Sequence, residues 1–143
     1  MQSPATKGTL SLHRVATAAD DPTTFTDNTL AVNMVGFRYA TIQAIPINTD
    51  DPPPDPSDWP SVPVGLGNSD GAFDIYVWNP YAKLYVLNSS WDAQGDPGAG
   101  AGKAFQINVE MDEMPFIVLL KNAPSSGQGV AFFVSASHAV ETA

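Results

Sequence analysis

The chain has 143 residues, enough for one domain with a sizeable core, and 43% of them are hydrophobic. Only 15% are charged, against roughly 25% in an average soluble protein, and the balance is acidic: 15 Asp and Glu against 6 Lys and Arg, a net charge of −9. The acidity argues against nucleic acid and anionic membranes as partners, and the absence of cysteine removes disulfides, thiolate catalysis and Cys-based zinc sites.

The N-terminal residues 1–8 are polar and unpatterned and are read as a flexible arm ahead of a single domain over 9–143. They lack the apolar run of a signal peptide, and no stretch approaches the ~20 apolar residues of a transmembrane helix, so a soluble product is expected. Period two, not 3.6, runs through the rest of the chain. The first strands are placed at Leu10–Val15, Leu30–Val35 and Phe37–Ile45.

Residues 46–63, "PINTDDPPPDPSDWPSVP", hold seven of the 13 prolines and four aspartates. Proline brings no amide to a ladder, so a central strand is excluded here and a stiff, extended loop is predicted. Next, Phe73, Ile75 and Val77 alternate with Asp74, Tyr76 and Trp78, and Leu84 and Val86 with Tyr85 and Leu87. Asn79-Pro80-Tyr81-Ala82 separates the two runs as a turn, which makes 74–91 a hairpin. Phe73, Ile75, Val77, Leu84 and Val86 are assigned to its core face.

A small-residue loop at 95–102 leads to the clearest strand. There Phe105, Ile107, Val109 and Met111 alternate with Gln106, Asn108, Glu110 and Asp112. Phe116–Leu120 is apolar on both faces and is expected to lie centrally. Val130–Ala136 follows a turn cluster at 122–129. These last three strands are expected to form a meander. Altogether the chain reads as an all-β, antiparallel β-sandwich, jelly-roll-like, of about eight strands with one long Pro/Asp-rich loop.

Chemical signatures are few. Asp74, Glu110 and Asp112 sit at polar strand positions without forming a matched acid/base pair. His13 and His138 lie near opposite ends of the chain, there is no Gly-x-Ser-x-Gly, and "GAGAGK" at 98–103 lacks the hydroxyl and helix of a phosphate loop. The expectation is therefore a non-enzyme with no catalytic residue, cofactor or committed metal site. Asp50, Asp51, Asp55 and Asp58 in one loop, and Asp20, Asp21 and Asp27 in another, are weighed as calcium ligands, but no EF-hand spacing supports them.

Aromatic residues are the remaining constellation. Trp59, Tyr76, Trp78, Tyr81, Tyr85 and Trp91 fall in or beside the hairpin and the proline loop, and are the candidates for protein contact or ligand stacking. Tyr76, Trp78 and Tyr85 belong to the sheet's second face, where the proline loop or a neighbouring subunit is expected to cover them. Asn88-Ser89-Ser90 is a glycosylation-type sequon.

The order "GNSDGAFDIYVWNPYAKLYVLNSSW", a Gly-rich loop, then "FQINVEMDEMPFIVLLKNAPSSGQGVAFFVSAS" resembles small β-sandwich proteins of bacteriophage surfaces, of the capsid decoration, cement or head-fibre type. The resemblance covers residues 65–137. It implies a structural protein on the virion surface, a homo-oligomer with a trimer favoured, bound to the major capsid protein or another virion protein. The alternative is a module that binds a glycan or another host-surface ligand, with Trp59, Tyr81 and Trp91 as stacking residues.

Overall fold

The computed structural model describes residues 8–48, 67–93 and 104–138, and the backbone of residues 3–4. The strands are β1 (Ser3–Pro4), β2 (Ser11–Ala16), β3 (Val32–Asn33), β4 (Tyr39–Asn48), β5 (Phe73–Asn79), β6 (Leu84–Trp91), β7 (Phe105–Glu110), β8 (Phe116–Leu120) and β9 (Gln128–Ser137). One short 3-10 turn, Pro22–Thr24, lies between β2 and β3, with Asp21 accepting from the Thr23 N–H at its start.

The pairing is nested. β5 pairs with β6, β4 with β7, β3 with β8 and β2 with β9, each antiparallel, so the chain is one long ribbon folded at the β5–β6 turn. The ribbon then rolls up until β4 also meets β9 and β5 meets β8. Two sheets result, β2-β9-β4-β7 and β3-β8-β5-β6, with the two residues of β1 added parallel to β3. This is a jelly roll, and the all-β sandwich expected from the sequence is what forms.

Three expectations about the strands are corrected. The last three strands are not a meander: β7 and β9 flank β4 in one sheet, while β8 lies between β3 and β5 in the other. A meander needs each connection to stay within its sheet, and here the β7–β8 and β8–β9 connections both cross the sandwich. Second, β3 is two residues long, although apolar character runs from Leu30 to Val35. Third, β4 continues through Pro46 to Asn48. Pro46 is tolerated because β7 has ended at Ala44, and the Pro46 carbonyl, facing that vacated side, accepts from the Gly67 N–H at 3.1 Å.

The core lies between the sheets. Phe73 and Ile75 of β5 and Phe116, Val118 and Leu120 of β8 face Ala40, Ile42 and Ala44 of β4 and Val130, Phe132 and Val134 of β9. Small residues on β4 leave room for rings on the facing sheet: Phe73 stacks on Phe105 at 5.6 Å and meets Phe132 edge-on at 5.5 Å. β8 is buried along its whole length, the central strand its sequence predicted. Its other face, Ile117 and Leu119, forms a second small cluster with Ala31 and Tyr85.

Candidate functional site

The β5–β6 hairpin is built by its turn. Asn79 Oδ1 accepts from the Tyr81 and Ala82 amides at 2.9 and 3.0 Å, its carbonyl accepts from Lys83 N–H at 2.8 Å, and Lys83 closes the turn at φ 56°. An Asn side chain that mimics a backbone acceptor is what nucleates such turns. Tyr81 is thereby held at the tip, 96% exposed.

The other candidate aromatics are placed differently. Tyr76, Trp78 and Tyr85 lie on the outer face of their sheet, where the β2–β3 connection packs on them through Phe25 and Ala31, while residues 49–63 of the proline loop lie outside the described residues. Tyr85 is buried, its ring 5.0 Å from that of Trp78, and its hydroxyl donates to the Asp27 carbonyl at 2.9 Å. Burial, reinforced by the negative charge of Asp27, pushes the Tyr85 phenol up to about 12. Trp91 packs half-buried against the main core and its indole N–H donates to Ser89 Oγ at 2.8 Å. Trp59 lies outside the described residues. The hairpin thus brings one exposed ring to its tip and uses the others internally.

The assignment of Leu84 and Val86 to the core is also corrected. Both share a face with Val77, yet they are 47% and 49% exposed, because β6 is the sheet's last strand and the opposing sheet does not reach over it. Leu87 on the other face is 53% exposed and Met114 39%. Val86, Leu87 and Met114, with Val77, Pro80, Tyr81 and Pro115, line an open groove of about 550 Å³, in which Glu113 is the one charged residue among those described. Sequence reasoning missed this surface because alternation assigns faces and is silent on which strand is last.

A second polar feature was also illegible in the sequence. Past Phe116, β3 no longer pairs with β8, and side chains from β2 and its following loop take over that flank. A register shift at His13 turns its imidazole inward, where Nε2 accepts from Val118 N–H at 3.3 Å and Nδ1 is buried without a hydrogen-bond partner. Arg14 donates to the Val118 carbonyl at 2.9 Å and grips Asp20 through two bonds of 2.6 and 3.0 Å. Asp20 in turn exchanges bonds with Leu120: Oδ2 accepts from the Leu120 amide at 2.8 Å and the Asp20 amide donates to the Leu120 carbonyl at 3.0 Å. Burial, with the Arg14 charge adding to it, lowers the His13 imidazole to about 3.

Several other carboxylates are engaged by the backbone, a hydroxyl or an arginine. Asp21 and Asp27 each accept from the amide and hydroxyl of the threonine two residues on, Thr23 and Thr29, which lowers both carboxyls. Asp74 accepts from Ser90. Glu110 and Asp112 share Arg38, and the Arg38 hydrogen bonds hold the Glu110 carboxyl below its ordinary value, opposite to what a general acid needs. Among the described residues no three His, Asp or Glu are placed to hold a metal ion, and no helix is long and apolar enough to cross a membrane. Asp50, Asp51, Asp55 and Asp58 lie outside the described residues.

Compared with known proteins, the chain matches no family model, no curated protein and no solved structure. The likeness to bacteriophage surface proteins therefore rests on the sequence pattern alone.

Proposed function

We propose that this chain is a non-enzymatic structural component of a bacteriophage particle, decorating or cementing the outside of the capsid. The observation that carries the reading is the nested jelly-roll pairing, an architecture shared by viral capsid and lectin domains. Carboxylates engaged by backbone amides, hydroxyls and arginines favour an architectural protein over a catalyst. The acidity suits a module that meets basic patches of a shell from outside while staying off the packaged genome. Its partner would be the major capsid protein, and cementing would work by adding buried interface across neighbouring subunits.

The test is co-sedimentation of the purified chain with capsids of the encoding phage stripped of their surface proteins. The expected result is saturable binding and a higher temperature of shell disruption. Capsids that neither bind the chain nor gain stability would end the proposal.

A second reading is favoured by one observation, the exposure of Tyr81 beside an apolar groove. On it the chain is a carbohydrate- or host-surface-binding module, with the Tyr81 ring stacking on a sugar face. Titration with a glycan array followed by tryptophan emission separates the two, since Trp78 lines the same groove. A saturable spectral change abolished in Tyr81→Ala supports the module, and silence across the array removes it.

A further inference from the structure

β6 has a partner on one side only: it pairs with β5, and no described residue pairs with its other edge. The direction of that edge follows from one hydrogen bond. Trp78 N–H donates to the Pro115 carbonyl at 3.0 Å, on the β8 side of β5. Its cross-strand neighbour Tyr85 therefore turns its own amide and carbonyl away from β5, and so does Leu87 two residues on. Free edges of this kind are normally guarded by charge, proline or shortness. β6 is eight residues long with neither a charge nor a proline, and its one bulge lies beyond Leu87.

We infer that β6 pairs antiparallel with β6 of a second copy of this chain, about a two-fold axis at Val86. In that register Tyr85 of one copy exchanges amide–carbonyl bonds with Leu87 of the other, Val86 meets Val86, and one continuous sheet runs through both copies. The occupant is a second copy, not an unrelated strand, because the charges flanking β6 complement themselves. Lys83 stands at one end, and Asp74 and Asp92 at the other, with Asp74 bound to Ser90. Antiparallel self-pairing brings each cationic end against an acidic end, although the whole chain carries −9. The exposed Leu84, Val86 and Leu87 are covered by the same contact. The surface is smaller than the 20–30 residues a side of a standard interface, so the association is weak and concentration-dependent. None of this depends on the particle assignment.

Analytical ultracentrifugation across a concentration series, combined with amide hydrogen exchange, tests it. The mass should rise from 15.1 kDa towards twice that value. The Tyr85 and Leu87 amides should gain protection with concentration, while those of Leu84 and Val86, turned to β5, stay protected throughout. Val86→Lys puts like charges across the axis and should weaken association about tenfold or more, whereas Val86→Thr, also β-branched, should leave it unchanged. Lys83→Glu should weaken it too, and adding Asp92→Lys should restore it. Four results would overturn the inference: a constant 15.1 kDa mass, three copies in place of two, a dimer indifferent to Val86→Lys, or a dimer whose Tyr85 and Leu87 amides exchange freely.

Discussion

Two strands of the same sheet are left short of a neighbour, and the molecule treats them in opposite ways. β8 loses β3 after a single paired residue, and its exposed flank is finished from within by His13, Arg14 and Asp20, each bonding a specific backbone group. Among the described residues β6 pairs with no strand on its far side, where Leu84, Val86 and Leu87 are exposed. The first flank lies in the interior, where an unpaired amide or carbonyl costs about 1–3 kcal/mol, so polar side chains stand in for a strand. The second is reached by water, which satisfies the same groups at no cost until something better arrives. Internal completion makes a seam that belongs to the fold; external incompleteness makes a surface that belongs to an encounter.

The comparison is broken most forcefully with acid. The neutral His13 imidazole accepts the Val118 amide, and protonation removes that acceptor and sets a second cation beside Arg14. Because the folded-state value is depressed, to about 3 from 6.5, the unfolded chain takes up the proton first. The His13 contribution to stability is whole above pH 6.5 and falls as pH drops towards 3, by about 5 kcal/mol at 1.4 kcal/mol per unit. Chemical denaturation at a series of pH values measures the slope, and His13→Gln should flatten it. A slope unchanged in the variant would mean that the seam does not govern acid sensitivity.

Next comes the ion pair. Asp20→Ala leaves Arg14 and the Leu120 amide without their partner in a site only 12–15% exposed, and should cost about 3 kcal/mol in urea unfolding. The outer cluster is milder: Tyr85→Phe deletes only the bond to the Asp27 carbonyl and should cost about 1 kcal/mol. The wild-type phenol should ionise near pH 12 in an absorbance titration. Smallest of all, Val86→Thr on the open edge should change stability by less than about 0.5 kcal/mol. A large loss there would show that β6 is as internal as the seam, and the contrast would collapse.

Much of the fold was legible because strands advertise themselves by alternation. Phe105 to Glu110, Phe116 to Leu120 and the turn at Asn79 stand where the pattern put them. The candidate surface was legible only in part. Tyr81 was read from its place in a turn, but Tyr85 is indistinguishable in sequence from Val86, and it is the tyrosine that is buried. The seam could not be read at all: Arg14 meets Val118 and Asp20 meets Leu120 across about a hundred residues of chain, with no local spacing to announce either.

By itself, then, the sequence determined that the chain is all-β, acidic and without thiol chemistry, and where most of its strands run, since side-chain alternation and proline placement act over a few neighbouring bonds. Only the tertiary structure decided which strands are neighbours, that the ribbon rolls into a jelly roll in place of a meander, and which edge is closed and which left open. Alternation specifies a face; a neighbour is chosen by long-range packing, when the whole ribbon finds the one arrangement that buries both faces of β8.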